Sequence, residues 1–445
     1  PYLTGLFDQL LADDKITPLM QFVRGCPFKC TFCQEGEDYF NKVRRFSFDR
    51  VVKELRYIAE RTNNPLLQLA DSNFGMYKED LEICREIAKI QEEFSWPQHV
   101  TDFSGKNQKK RVLDAVETIH GSHFLNAAVQ STDEYVLKSI KRQNVHWDQM
   151  VYVAKRGNTL DVNSMAEIIL ALPSDTKEAH FKSVFDMIDA DLNDVRSNQF
   201  LMLLGSSTCT SRERKRFEMD TRFRVCPNTI IPYTLFGETF YAPEIDEICV
   251  ANATLSFEDY LECRLFDLTI ELFYNSAMFK KLYKFLKRSG LTISPLIANI
   301  HSAFRSSGGP LKKIRENFLR ETQELWTNLE KLEEFLQDPA VIEKYLSGEM
   351  GNNEQLIYRT RAVTLHMEEL HRLAYEEARK MLVGEGLCND RTMAYLEELR
   401  KENLRRKIEF LTIEQTPQRL KKFQKLKSSD ATQTNIASLH VNASP

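Results

Sequence analysis

The sequence predicts an α/β fold, in which a partial (βα)6 TIM-like barrel is followed by an α-helical C-terminal domain. From residue 17 to about 204, short β-branched or apolar runs alternate with longer stretches of helical period, as in βα units around a parallel sheet. From Ser256 onward the pattern is helical, and Ser256 with Asp259 forms a plausible capping box. Six strand candidates are too few for a closed eight-stranded barrel, which is why we expect a partial one.

The predicted strands and helices alternate regularly along the first half of the chain. The strand candidates are residues 18–23, 65–70, 99–103, 124–129, 166–172 and 198–204. The helix candidates between them are residues 49–60, 78–91, 109–119, 133–140 with 147–155, and 177–188. We therefore predict a barrel over residues 1–204, an irregular crossover without periodicity over 205–250, a helical domain over 251–416 and a disordered tail over 417–445.

Composition and charge restrict the class of protein. Of 445 residues, 42% are hydrophobic and 28% charged, which is enough to bury a sizeable core. Sixty basic against 64 acidic residues give a net charge of −4, so we expect neither a nucleic-acid partner nor a membrane surface. The sequence has no apolar run of membrane-spanning length and no secretory signal at its start, and we predict a cytoplasmic protein. Because the first residue is Pro1 rather than Met, we expect further residues upstream.

Three of the nine cysteines, Cys26, Cys30 and Cys33, lie within eight positions just after the first predicted strand. This crowding is unlike a disulfide framework and indicates a metal site. Soft thiolates suit zinc or an iron–sulfur cluster, but a structural zinc site needs a fourth ligand, and the next cysteine, Cys84, lies far along the chain in a helical pattern. A cluster of four irons normally takes four thiolates, so three of them leave one iron open to a small molecule.

With the aromatic Phe32 directly before the last cysteine and βα units following, this segment resembles the radical SAM superfamily. The resemblance implies that Cys26, Cys30 and Cys33 hold a [4Fe–4S] cluster and that S-adenosylmethionine chelates the open iron. Reduction of S-adenosylmethionine would then yield a 5′-deoxyadenosyl radical that abstracts a hydrogen atom from an unidentified substrate. Phe32 would shield the cluster and offer its backbone to adenine. We expect a small-molecule substrate rather than a macromolecule, and a one-electron donor such as a flavodoxin or ferredoxin.

Polar residues after the second strand fit the same resemblance. Asp71 and Asn73 occupy the segment in which radical SAM proteins bind the amino group of S-adenosylmethionine, at the carboxyl end of a parallel strand. The alternative is that residues 71–75 form an Asx-type turn that caps the next helix.

Further candidate cofactor contacts follow the fourth strand. Gln130 and Ser131 match the segment that contacts the ribose, and Arg142 is the basic residue that would reach the carboxylate of S-adenosylmethionine. Helix capping by Ser131 and a solvated helix end at Arg142 are the alternatives. Glu167, in the fifth strand, completes the predicted set of cofactor-binding residues, and no residue stands out as catalytic.

Within the superfamily, residues 1–5 and 256–261 look most like radical SAM proteins that carry an upstream cobalamin-binding domain. The resemblance implies cobalamin, bound through a domain absent from this chain, and methyl transfer as the reaction. Without cobalamin, hydrogen abstraction with rearrangement or oxidation is the alternative. The competing class is a non-catalytic zinc or iron–sulfur binding module that acts as a scaffold.

Overall fold

The computed structural model describes residues 1–105, 107–120, 125–144, 151–152, 154–156 and 164–413, and the structural statements below concern these residues. They form two compact units. The first consists of Pro1–Asp175, Lys182–Asn198 and Met202–Phe217. The second consists of Thr176–Phe181, Gln199–Leu201 and the chain from Glu218 onward.

The first half of the chain alternates strands with helices, as predicted. Its strands are β1 (Leu19–Met20), β2 (Val23–Arg24), β3 (Arg44–Arg45), β4 (Leu66–Leu69), β5 (His99–Thr101), β6 (Leu125–Gln130), β7 (Ser164–Leu170) and β8 (Asp194–Gln199). Its helices are α1 (Asp8–Leu11), α2 (Phe48–Ala59), α3 (Lys78–Phe94), α4 (Lys109–Thr118), α5 (Glu134–Ser139), α6 (Lys177–Asp189) and α7 (Ser211–Arg216).

The strands of the barrel form two three-stranded sheets, in the orders β1-β4-β5 and β6-β7-β8. The pairs β1·β4, β4·β5 and β6·β7 are parallel, and the short β2 pairs antiparallel with β3. The helices bury apolar residues at helical spacing: Val51, Leu55 and Ile58 of α2 are nearly inaccessible to solvent. The prediction of a partial TIM-like barrel made of βα units is confirmed.

Two predicted elements differ from the structure. The last strand was expected at 198–204, whereas β8 begins at Asp194 and ends at Gln199. The prediction rested on the apolar run Phe200–Leu204, but Leu203 and Leu204 are exposed, while β8 itself is polar except for Val195. The predicted helix 147–155 falls largely outside the described residues.

The predicted irregular crossover was wrong, because residues 205–250 contain strands. These are β9 (Asp220–Val225), β10 (Pro232–Leu235), β11 (Glu238–Tyr241) and β12 (Ile245–Ala251). β9 and β12 pair antiparallel, and β10 and β11 form a hairpin. Phe236 and Gly237 connect the hairpin strands with φ of 53° and 85°, values typical of the turns that join two strands tightly.

The rest of the second unit is helical, as expected. Its helices are α8 (Phe257–Phe273), α9 (Lys280–Arg288), α10 (Ser294–Arg305), α11 (Gly309–Gln323), α12 (Leu329–Phe335), α13 (Pro339–Ser347), α14 (Glu354–Leu365), α15 (Met367–Gly384) and α16 (Asp390–Ile413). Within the described residues, no helix is both long enough and apolar enough to cross a membrane. The predicted tail, 417–445, lies outside the described residues.

Candidate metal and cofactor site

The three clustered cysteines lie on a loop that begins directly after β2. Cys26 and Cys30 are buried, and Cys33 is partly exposed. The backbone N–H of Cys26 donates to the Phe40 carbonyl (3.1 Å), and that of Cys33 donates to the Cys30 carbonyl (3.2 Å). Asn41 Nδ2 donates to the carbonyls of Cys26 (3.0 Å) and Phe28 (3.3 Å). The backbone of this cysteine loop is therefore held by hydrogen bonds of its own.

Two glycines allow the chain to fold back closely on the cysteine loop. Gly25 has a φ of 88°, and a Cβ there would lie 2.5 Å from the Lys42 carbonyl oxygen. A Cβ at Gly36 would overlap the Cys30 carbonyl oxygen. Side chains at either position would force the loop apart.

Two side chains aim N–H groups at the cysteine sulfurs. Asn73 Nδ2 lies 3.3 Å from Cys26 Sγ, and Arg142 Nη1 lies 3.8 Å from Cys30 Sγ. Arg142 is further held by Asn144 Oδ1, which accepts from its Nε at 2.9 Å, and by the Ala128 carbonyl. Burial lowers the pKa of the Arg142 guanidinium, and the nearby cysteines counteract part of that effect. N–H donors of this kind complement thiolates better than neutral thiols.

The donor set of the cysteine loop fits an iron–sulfur cluster. It offers three soft sulfur ligands, two of which have N–H donors directed at them. Asn73 Oδ1 is buried and has no hydrogen-bond partner among the described residues, so it can accept from a bound group. Among those residues, no three His, Cys, Asp or Glu side chains are grouped around a position for a single metal ion. In a cluster, by contrast, each thiolate binds a different iron.

Asp71 holds the chain segment that leads into the cysteine loop. Its carboxylate accepts from the backbone N–H groups of Phe22 (2.9 Å) and Val23 (2.7 Å). Burial raises the pKa of Asp71 to about 7, although the two backbone hydrogen bonds oppose the shift. Of the two residues predicted after the second strand, Asn73 is thus the one with a side-chain atom available to a ligand.

Gln130 and Ser131 lie at the end of β6, where the pairing with β7 shifts register. Gln130 has a φ of 68°, and its buried Oε1 has no hydrogen-bond partner among the described residues. Ser131 Oγ accepts from the Asp133 N–H (3.1 Å) and lies 3.3 Å from Ser183 Oγ. The N-cap of α5 is Asp133, whose Oδ1 accepts from two backbone N–H groups of the helix. Ser131 therefore shapes the turn before the helix rather than capping it.

The remaining predicted residues lie on separate elements. Phe32, between the second and third cysteines, is partly exposed. Glu167 lies in the middle of β7, opposite Ala128 of β6, and is partly exposed. Arg142 follows α5 and is buried rather than solvated, which removes the alternative of an exposed helix end.

Lys109, the first residue of α4, was not among the predicted site residues. Its Nζ donates to the Gly105 carbonyl at 2.9 Å, and the side chain is buried. Burial lowers the pKa of Lys109 to about 8, and the charge of Arg142 adds to the effect. Because Lys109 is followed by another lysine at a helix start, the sequence resembles an ordinary solvated helix end.

A cavity of about 640 Å³ opens beside the cysteine loop. Cys30 and Arg142 line it together with three exposed lysines, Lys29, Lys138 and Lys141. The cavity gives solvent and small molecules a route to one of the three thiols.

The segment that contains the cysteine loop is similar to known proteins. Residues 20–186 match the model of the radical SAM superfamily. A 2-(S-pantetheinyl)-carbapenam-3-carboxylate methyltransferase from Streptantibioticus cattleyicolor is 26% identical over 302 residues, 65% of this chain and 43% of that protein. The cobalamin-dependent radical SAM methyltransferase TokK from Streptomyces tokunonensis is 25% identical over 301 residues, with the same coverages of 65% and 43%. The chain thus spans less than half the length of these curated relatives.

Among solved structures, the radical S-adenosylmethionine methyltransferase TsrM from Kitasatospora setae is 13% identical, with a TM-score of 0.39. That likeness covers 50% of this chain and 42% of TsrM. The segment matched by the superfamily includes all three cysteines of the loop and the βα units that follow it. Residues 20–186 are therefore a radical SAM domain.

Proposed function

We propose that Cys26, Cys30 and Cys33 bind a [4Fe–4S] cluster whose fourth iron takes S-adenosylmethionine. The observation that carries this proposal is the cysteine loop itself, in which N–H donors from Asn73 and Arg142 approach two of the three sulfurs. When bound, such a cluster supplies one electron to S-adenosylmethionine and so starts radical chemistry.

The polar groups near the cysteine loop would orient S-adenosylmethionine. Asn73 Oδ1 and Gln130 Oε1 are buried acceptors without partners among the described residues, and each can accept from an N–H or O–H of the ligand. Arg142, and to a lesser extent Lys109, would place positive charge where a carboxylate binds. We retain Phe32, Ser131 and Glu167 as proposed contacts, and assign Asp71 the role of holding the loop.

We further propose that the full-length protein is a methyltransferase that uses cobalamin and acts on a small molecule. The support comes from the two similar methyltransferases, one of which is named as cobalamin-dependent. Cobalamin would be bound by a part of the protein outside this chain. A flavodoxin or ferredoxin would supply the electron.

The proposal is tested by reconstituting the chain with iron and sulfide without oxygen. We expect about four irons per chain, a brown colour with absorption near ~400 nm, and cleavage of S-adenosylmethionine after reduction. Cys30→Ala should lose the bound iron and the cleavage, because two thiolates cannot hold the cluster.

Cys84→Ala is the matched control for that variant. Cys84 is as buried as Cys30 but lies on α3, and its loss should leave the iron content unchanged. A colourless protein that binds zinc instead of iron would contradict the proposal and favour the scaffold. Full iron loading of Cys30→Ala would contradict the assigned ligands.

A further inference from the structure

We infer that Asn73 and Arg142 set the reduction potential of the cluster, by donating N–H groups to the sulfurs of Cys26 and Cys30. This inference rests on the cluster proposed above. It gives these two residues a function toward the metal centre, in addition to any contact with S-adenosylmethionine.

Both donors are buried, and their hydrogen bonds to sulfur are part of the fold. Asn73 lies between β4 and α3, directly after the segment that Asp71 ties to the backbone. The guanidinium of Arg142 is anchored on two sides, by Asn144 and by the Ala128 carbonyl, which leaves Nη1 directed at Cys30. Asn73 and Arg142 are 4% and 6% exposed, respectively, so both donors are enclosed by the protein.

The charge of Arg142 has no carboxylate to neutralise it among the described residues. Its hydrogen-bond partners are a side-chain amide, a backbone carbonyl and the thiol of Cys30. A buried cation that lacks an acidic partner acts on nearby charges with little screening by water. The electrostatic field of Arg142 therefore acts on the cysteine loop, and it also reaches Lys109.

The direction of the effect follows from charge. One-electron reduction makes a cluster more negative, and N–H donors and positive charge near its sulfurs stabilise the reduced form. Removing either donor should therefore lower the reduction potential. Arg142 should have the larger effect, because it contributes a full charge as well as an N–H group.

The test is a redox titration of the reconstituted chain, followed by absorbance and by the electron paramagnetic resonance signal of the reduced cluster. At a fixed potential, Asn73→Leu should lower the ratio of reduced to oxidised cluster about threefold. Arg142→Met should lower it about tenfold, which is about 59 mV for a one-electron couple. If Arg142→Met fails to bind iron, Arg142→Gln and Arg142→Lys test the loss of the charge and of the planar donor separately.

The matched control variants remove one amide and one cation that do not contact the cysteine sulfurs. Asn64 is an equally buried amide (6% exposed) that donates to the Asp14 carbonyl, and Lys138 is an exposed cation on the wall of the same cavity. At the same fixed potential, Asn64→Leu and Lys138→Met should keep the ratio of reduced to oxidised cluster within about twofold of the parent ratio. Asn64 does not contact the sulfurs, and the charge of Lys138 is hydrated and therefore strongly screened.

The outcomes separate this inference from the proposed function. A chain that binds no iron contradicts the proposed cluster. A cluster that forms normally in the Asn73 and Arg142 variants, with an unchanged potential, contradicts only the inference. A potential that falls equally in the control variants also contradicts it, because the effect would then be a general one.

Discussion

The two units differ in the partners that they provide for buried cations. In the second unit, the buried Arg264 is paired with Glu354 (2.7 Å), and Arg224 approaches the same carboxylate at 3.4 Å. In the first unit, the buried cations Lys109 and Arg142 donate to carbonyl, amide and thiol groups instead. Burying an unpaired charge costs free energy, so a fold tolerates it mainly where a bound group completes the pairing. The comparison indicates that the second unit is built for stability and the first for ligands.

The largest effect is expected from breaking the charge pair of the second unit. Burial raises the pKa of Glu354, but Arg264 and Arg224 outweigh that effect, so its pKa is lowered and it is a carboxylate at neutral pH. Glu354→Gln removes the nearest counter-ion of the buried Arg264, which keeps only Asp267 at 3.7 Å, and should reduce the free energy of unfolding by about 3–5 kcal/mol. Denaturant unfolding monitored by circular dichroism measures this change.

The control for that substitution is an exposed charge pair in the same unit. Glu397→Gln removes the partner of Arg400 (2.9 Å) on the surface of α16 and should cost less than about 1 kcal/mol. Equal losses in the two variants would show that burial does not distinguish these pairs.

In the first unit, removing a buried cation should increase the free energy of unfolding of the cofactor-free chain. Lys109→Met keeps the length and the apolar stem of the side chain while deleting the ammonium group, so we expect a gain of about 2 kcal/mol at pH 7. The pKa of Lys109 is about 8 in the folded chain, below the value of a solvated lysine. Between these two pKa values the unfolded chain binds more protons than the folded chain. The free energy of unfolding of the parent chain therefore rises with pH over that range.

The gain from Lys109→Met should consequently shrink as the pH rises from about 8 to 10.5. Unfolding titrations of parent and variant at pH 7 and pH 10 measure it. A Lys109→Met chain that is strongly destabilised at pH 7 would show that the ammonium group has a stabilising partner, contrary to the comparison.

An effect of similar size per residue, confined to acidic pH, is expected from two buried histidines of the second unit. Burial lowers the pKa of His301 and of His371 to about 4. His371 Nδ1 donates to the Met367 carbonyl (2.9 Å), and its Nε2 accepts from Asn403 Nδ2 (3.1 Å). Protonating Nε2 would turn it into a donor that faces the N–H donor of Asn403. The stabilisation from neutral histidine is present above pH 6.5 and is lost as the pH falls toward 4.

At pH 5, each histidine should lower the free energy of unfolding by about 2 kcal/mol relative to pH 7. His371→Gln should remove about half of this pH dependence. An unchanged pH dependence in that variant would indicate that His371 does not titrate as its surroundings imply.

The sequence was sufficient for features that are local in the chain. The spacing of Cys26, Cys30 and Cys33 singled out the cysteine loop as the candidate metal site, and the alternation of apolar runs predicted the βα units. Both depend on neighbours within a few residues, which hydrophobic periodicity and ligand spacing report directly.

The sequence was insufficient where the contact joins distant residues. Asn73 meets Cys26 over 47 positions, and Arg142 meets Cys30 over 112, so their roles beside sulfur could not be read from spacing. Asp71 was expected to contact the cofactor, yet its carboxylate binds backbone N–H groups 48 and 49 positions away. Strands β9 and β12 were missed because each one is stabilised by pairing with the other rather than by its own sequence.

The most direct test of the central claim is to ask whether the cluster has one iron open to S-adenosylmethionine. Electron paramagnetic resonance of the reduced, reconstituted chain is recorded with and without S-adenosylmethionine. We predict that the signal changes shape on addition, because the amino and carboxylate groups of S-adenosylmethionine would bind the iron that lacks a cysteine. An identical signal in the presence of saturating S-adenosylmethionine, or the absence of any iron signal, would contradict the claim.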